Sequence, residues 1–121
     1  MEIFIKYNSN LADDALIKEA SGLDTLRKVL KESHNPYLKI PQVISASKTL
    51  LEMTAIEQRQ ASQTQMQQLG TGLALLHKIQ HADYGFNEDN YIGLNPQSNC
   101  LMDNWGAFFV NYRLQYQVNL I

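Results

Sequence analysis

Five aromatic residues near the end of the chain, Trp105, Phe108, Phe109, Tyr112 and Tyr116, recur at offsets 0, 3, 4, 7 and 11. At 3.6 residues per turn these offsets fall on one face of a helix. Asp103 stands just ahead of them as an N-cap, so the pattern predicts a helix from Asp103 to about Val118. Each ring can remove roughly 150–250 Å² from water, which obliges the fold to find cover for this face. A core is the commonest cover. A ligand platform and a second copy of the chain are the alternatives.

The rest of the chain reads as short strands and helices. Ile3, Phe4 and Ile5, leading into Lys6 and Tyr7, are strand-like. "NSNLADD" supplies turn formers, with Asp13 and Asp14 suited to a helix start. Leu16, Ala20, Leu23, Leu26 and Leu30 then keep helical spacing to about Lys31. Gly22 costs that helix about 1 kcal/mol against Ala, so a close packing contact is expected there. "SHNPYLKIP" breaks the helix, and "QVISAS" and "TLLEMT" read as strands around a turn at Ser47 and Lys48. Residues 57–68 hold six Gln in twelve, a composition open to a solvated linker or a helix. Leu69, Leu73 and Leu76 carry a helical pattern on to about His81, with Gly70 and Gly72 either weakening it or permitting close contact. "ADYGFNEDNYIGLNPQSN" is turn-rich, with Tyr91 and Ile92 its strand-like pair. The order is strand, helix, strand, strand, helix, loop, helix: an α+β chain in which 1–56 holds the strands and one helix, and 57–121 the remaining helices.

Charge and composition close several routes. With 121 residues and a formal net charge of −2, the chain fits one domain and has no positive field to hold a polyanion; nucleic acid is not an expected partner. Cys100 is the one cysteine, which excludes an intrachain disulfide and is read as a small, partly buried side chain in a reducing compartment. No run approaches the roughly 20 apolar residues that span a bilayer, and "MEIFIKYNSN" lacks the apolar stretch and cleavage site of a signal peptide. A cytoplasmic protein without membrane contact is expected. His77 and His81 lie four apart with Asp83 beyond, a zinc-like spacing, but the HExxH glutamate is missing and Lys78, Ile79 and Gln80 intervene. They are read as helix-end histidines facing the negative dipole; no metal site is expected.

Lys6 on a strand and Glu19 on the following helix are ordinarily solvated charges. In kinase-like folds the same order gives a lysine on the nucleotide's α and β phosphates and a glutamate that holds it. "FIKYN", "KEASGLDTL", "IPQVIS" and "TLLEMT" together resemble the N-terminal lobe of the aminoglycoside phosphotransferase and fructosamine kinase superfamily. "LGTGLALLHKIQHADYGFNEDNYIGLNPQSN" and "DNWGAFFVNYRLQYQV" resemble its fructosamine (ketosamine) kinase branch in particular, so that the likeness runs from Phe4 to about Val118. The fold so implied is a partial kinase-like N-terminal lobe, short antiparallel strands plus one helix, followed by the first helices of the C-terminal lobe. The activity implied is ATP- and magnesium-dependent phosphoryl transfer to a sugar hydroxyl of glycated amines. By that resemblance Lys6 contacts phosphate, Glu19 is its ion-pair partner, and Glu52, Met53 and Thr54 form the adenine-binding hinge. The loop from Gly93 to Asn99 and the helix bearing Trp105 and Arg113 also belong to the family's pattern.

The departures are as informative. Met1 falls just before the lysine strand, where family members carry earlier strands with a phosphate-covering loop. Neither the His-Gly-Asp catalytic loop nor the later magnesium-binding Asp motif occurs in the 121 residues. The expectation is an N-terminal part of such a kinase, without turnover on its own. The alternative is a non-catalytic structural or interaction module, a homo-oligomer held through Trp105, Phe108, Phe109, Tyr112 and Tyr116.

Overall fold

The first apolar run pairs with the central strand of the fold's main sheet. In the computed structural model, which describes residues 1–121, β1 (Ile3–Tyr7), β2 (Val43–Ala46) and β3 (Leu50–Thr54) form an antiparallel sheet in the order β1-β3-β2. The β2–β3 turn is fastened by Ser47, whose hydroxyl oxygen accepts from the amides of Thr49 and Leu50. On β1, Phe4 lies opposite Met53 and Lys6 opposite Leu51. Directly opposed residues share a face, so these four look toward α1 (Ala15–Glu32). Leu16 and Ala20 from α1 meet Leu51 and Met53 there, with Leu11, Leu23 and Val43 at the margin. Asn8 sets the approach to α1: its side chain accepts from the Leu11 amide and donates to the carbonyls of Ala12 and Lys48.

Helix α1 ends as expected, at a Ser33 hydroxyl bonded to Leu30 O and at His34 in the left-handed region, φ +48°. The expected packing contact at Gly22 is absent, since a Cβ built there meets nothing within 4 Å. Gly22 therefore carries its entropic cost without a steric reason. Gly22→Ala should stabilise the chain by about 0.5–1 kcal/mol, read as a higher denaturation midpoint at unchanged slope.

The Gln-rich stretch divides at Ser62. Ser62 and Gln65 form a reciprocal capping box, each side chain bonded to the other's backbone N–H, and α2 runs from there (Gln63–Leu76). It stops with His77 at the C-cap, short of the expected His81. Gly72 does permit close contact: a Cβ there would sit 2.7 Å from Leu38 Cγ, and the Gly72 carbonyl accepts from Asn35 Nδ2 at 2.7 Å. These contacts gather α2 with the sheet into one compact unit, Met1–Gln80, with His81–Ile121 as the other. The sequence division at 56/57 had placed α2 with the second segment.

In the second unit Asn90–Ile92 (β4) and Asn95–Gln97 (β5) make a hairpin turned by Gly93 at φ +59°. The sequence pattern showed only its first strand. The terminal helix is capped by Asn104, whose Oδ1 accepts from the Ala107 amide, and not by Asp103. It is also not uniform. After α3 (Trp105–Phe109) comes a π-helical turn, Val110–Leu114, in which the Gln115 amide reaches back to Val110 O, and then α4 (Gln115–Leu120). One extra residue in a turn re-phases the remainder of the helix, so the five aromatics are not one stripe. Phe108 is buried and stacks on Tyr112, whereas Trp105 stacks on Phe109 in an exposed position.

Candidate functional site

Lys6 sits on the core-facing side of β1, and Glu19 lies one helical turn beyond the buried Leu16 on α1. Sheet register and helix phase therefore aim both side chains at the same rim of the core. The structure brings them together: Lys6 Nζ donates to Glu19 Oε2 at 2.7 Å. Both side chains remain more than a third exposed (40% and 36%). A pair so wet is worth under about 1 kcal/mol to stability. Its consequence is positional: one N–H of the ammonium is held by Glu19, and two of its three donors remain for an anion.

The other three sequence candidates lie at the end of the central strand. Met53 is buried in the core, and Glu52, on the opposite face, accepts a hydrogen bond from the Ser45 hydroxyl. Thr54 donates its amide to Gln42 O at 2.9 Å, and its Oγ1 accepts from the Gln42 amide at 2.9 Å. Because β3 pairs on both sides, the main-chain groups of Glu52, Met53 and Thr54 are drawn into the ladders. The Ala55 amide is used as well, donating to Glu2 O. Beyond it the chain leaves the sheet, and residues 55–61 border a pocket of about 630 Å³ lined by Lys39, Ile56, Arg59, Gln65, Met66 and Leu69. Arg59 is bonded to Glu57 at 2.8 Å. Sequence reasoning missed this pocket, because its wall comes from a stretch whose composition suggested a linker.

In the second unit the loop and helix singled out from the sequence are tied together by Arg113. Its guanidinium donates to Ser98 O (3.0 Å), Tyr112 O (2.8 Å) and Asn99 Oδ1 (2.7 Å), and lies 4.7 Å from the centre of the Phe108 ring. Burial lowers its pKa from the ordinary arginine value. Asn99 in turn donates to Asp89 Oδ1, Glu88 O and Asn90 Oδ1, and Gln97 donates to Asn90 Oδ1. These groups spend their hydrogen-bonding capacity on one another, so the arrangement is a scaffold. Cys100, expected to be partly buried, is exposed. It raises the Tyr112 pKa, first through a hydrogen bond to the phenol and then through charge, with partial burial and the Asp89 carboxylate adding to the effect. The zinc-like spacing dissolves, because α2 ends before His77 and the His81 ring is engaged by the backbone of Asp83. No three His, Cys, Asp or Glu side chains gather as metal ligands, and no helix is long and apolar enough to cross a membrane.

The family model described as fructosamine kinase matches residues 1–121. A Synechocystis sp. protein named "Probable ketoamine kinase" is 30% identical over 97% of this chain and 39% of its own length. The chloroplastic protein-ribulosamine 3-kinase of Oryza sativa subsp. indica is 31% identical over 98% of this chain and 34% of its own. The crystal structure of a candidate fructosamine-3-kinase from Haemophilus somnus shares the fold, with a TM-score of 0.79 at 24% identity over 98% of this chain and 40% of that one. The chain thus spans about two-fifths or less of the length of these relatives. By its sequence match along the whole of its length, the chain belongs to the fructosamine kinase family.

Proposed function

We propose that these residues are the nucleotide-anchoring part of an ATP-dependent kinase that phosphorylates a sugar hydroxyl of glycated amines. The observation that carries this reading is the Lys6–Glu19 contact at 2.7 Å. Phosphoryl transfer depends mainly on positioning and on charge placed near the phosphates. Glu19 restrains a flexible ammonium, and Lys6 keeps donors free to meet α and β phosphate oxygens. ATP supplies the phosphoryl group. The main-chain groups that would meet adenine lie at Glu52, Met53 and Thr54 or, since those are engaged in the sheet, at residues 55–57 just beyond. Magnesium does not find a site among these residues, which bring no three acidic or imidazole ligands together.

A general base contributes about 10²- to 10⁴-fold, and no His-Gly-Asp sequence is present to provide one. The 121-residue chain alone is therefore expected to show no ATP-dependent phosphorylation of a fructosyl- or ribulosyl-amine. Radiolabelled ATP checks this, with Lys6→Met as the control for contaminating kinases. Product formed by the wild type and lost in Lys6→Met would overturn the expectation.

A second reading, a non-catalytic module that self-associates through the terminal helix, is favoured by one observation. Trp105, Phe109, Leu114 and Val118 are all exposed and, with the extra residue of the π turn between Phe109 and Leu114, succeed one another along one side of the helix.

A further inference from the structure

Asn8, two residues past Lys6, commits both side-chain donors and its side-chain oxygen to backbone groups of neighbouring segments. Its Oδ1 accepts from the Leu11 amide at 3.0 Å. The two hydrogens of its Nδ2 go to Ala12 O at 3.1 Å and to Lys48 O at 3.0 Å. Ala12 O also receives the Ala15 amide, at 3.1 Å, where α1 begins. Lys48 O belongs to the turn between β2 and β3. The Asn8 amide extends the β1–β3 ladder to Thr49 O at 2.9 Å, in the register that sets Lys6 opposite Leu51. One side chain thus ties the start of the helix that carries Glu19 to the two strands that place Lys6. All of its partners lie inside the Met1–Gln80 unit.

We propose that Asn8 is a positioning residue of the phosphate-binding site: it fixes the roll of α1 about its own axis, and through it the reach of Glu19 to Lys6. The role rests on the reading of Lys6 as a phosphate-binding group. Leu16 and Ala20 hold α1 on the sheet, but apolar contact is non-directional and tolerates a helix that rolls or slides. Hydrogen bonds have preferred angles as well as lengths, so three made by one planar amide fix an orientation. Glu19 needs that control. Its contact with Lys6 is a single bond of 2.7 Å between side chains more than a third exposed, too weak to set the helix by itself. The Glu19 carboxylate stands well off the helix axis, and a modest roll of α1 carries it out of hydrogen-bond range of Lys6 Nζ. Lys6, registered on β3, stays where it is. A group that meets a ligand is only as well placed as the hydrogen bonds behind it.

Nuclear magnetic resonance on the full chain tests this in two arms. Without nucleotide, the side-chain methylenes of Lys6 and Glu19 should show a mutual Overhauser effect in the wild type that is lost in Asn8→Ala. Asn8→Asp keeps the acceptor for the Leu11 amide and gives up both donors, so it should lose the effect too. Ser33→Ala removes a hydrogen bond at the other end of α1 and should keep it. In the second arm ATP is titrated. Asn8→Ala should weaken binding as much as Glu19→Gln does, and the two together no more than either alone, because both act through one contact. The proposal is overturned by a Lys6–Glu19 effect that survives in Asn8→Ala or Asn8→Asp, by its loss in Ser33→Ala, or by additive losses of affinity in the double variant. Unfolded spectra for both Asn8 variants overturn it as well, since Asn8 would then serve the fold and not the site. A wild type that binds no ATP sinks the phosphate reading, and the first arm still decides whether Asn8 sets Glu19.

Discussion

Gly85→Ala is expected to destabilise the second unit by about 2–6 kcal/mol, the sum of backbone strain and steric overlap. Gly85 holds φ at +111°, a conformation L side chains rarely adopt. A Cβ there would stand 2.0 Å from the Cys100 carbonyl oxygen and 2.9 Å from Phe108 Cε2. The first neighbour is backbone, next to the pairing of Tyr84 with Met102, whose two hydrogen bonds close the unit. The second is the one fully packed aromatic of the terminal helix, and it also supports Arg113. Neither can move without opening the scaffold around Asn99. Gly93→Ala is the matched control. It too has a positive φ, +59°, but nothing lies within 4 Å of the added Cβ, so about 1 kcal/mol is expected. Thermal unfolding followed by near-ultraviolet dichroism separates the two; equal losses would show that the steric account is wrong.

Leu51→Ala should cost about 2–5 kcal/mol, the range for emptying a packed leucine site. Leu51 is completely buried, at the centre of the strand that pairs with both neighbours. The core it belongs to contains only three other buried residues, Leu16, Ala20 and Met53, so little remains to close the cavity. Loosening α1 would also release Glu19 from Lys6. Lys6→Met should behave in the opposite way, losing under about 1 kcal/mol because the ion pair is largely in water. Urea titrations that gave the two variants the same midpoint would contradict this ranking.

Much of the first unit was legible in the sequence, because its signals are local and agree with one another. The apolar run at Ile3–Ile5, the leucine spacing of α1 and the Ser47 turn each dictate one element. Lys6 and Glu19 were nameable through the family resemblance, since alone they read as solvated charges; the sheet register and helix phase then bring them together. The hinge was harder, since residue type says nothing about which main-chain groups a central strand consumes. In the second unit long-range contacts prevail. Asn95–Gln97 contains a proline and no β-branched residue, and forms a strand only because Gly93 folds it onto Asn90–Ile92. The aromatic offsets assumed 3.6 residues per turn throughout, and the π turn breaks that assumption. Gly22 and Gly72 look alike in the sequence, and only Leu38, brought in from outside the helix, makes one of them necessary.

The central claim is that Lys6, held by Glu19, is a phosphate-binding group. An ATP titration of the isotopically labelled chain, followed by nuclear magnetic resonance, tests it most directly. The account predicts shift changes at Lys6, Glu19 and the segment from Glu52 to Glu57 that saturate with ATP, weaken in Glu19→Gln and disappear in Lys6→Met, whose own spectrum stays folded. Saturating changes of equal size in wild type and Lys6→Met, or none at Lys6 and Glu19 in the wild type, would contradict it.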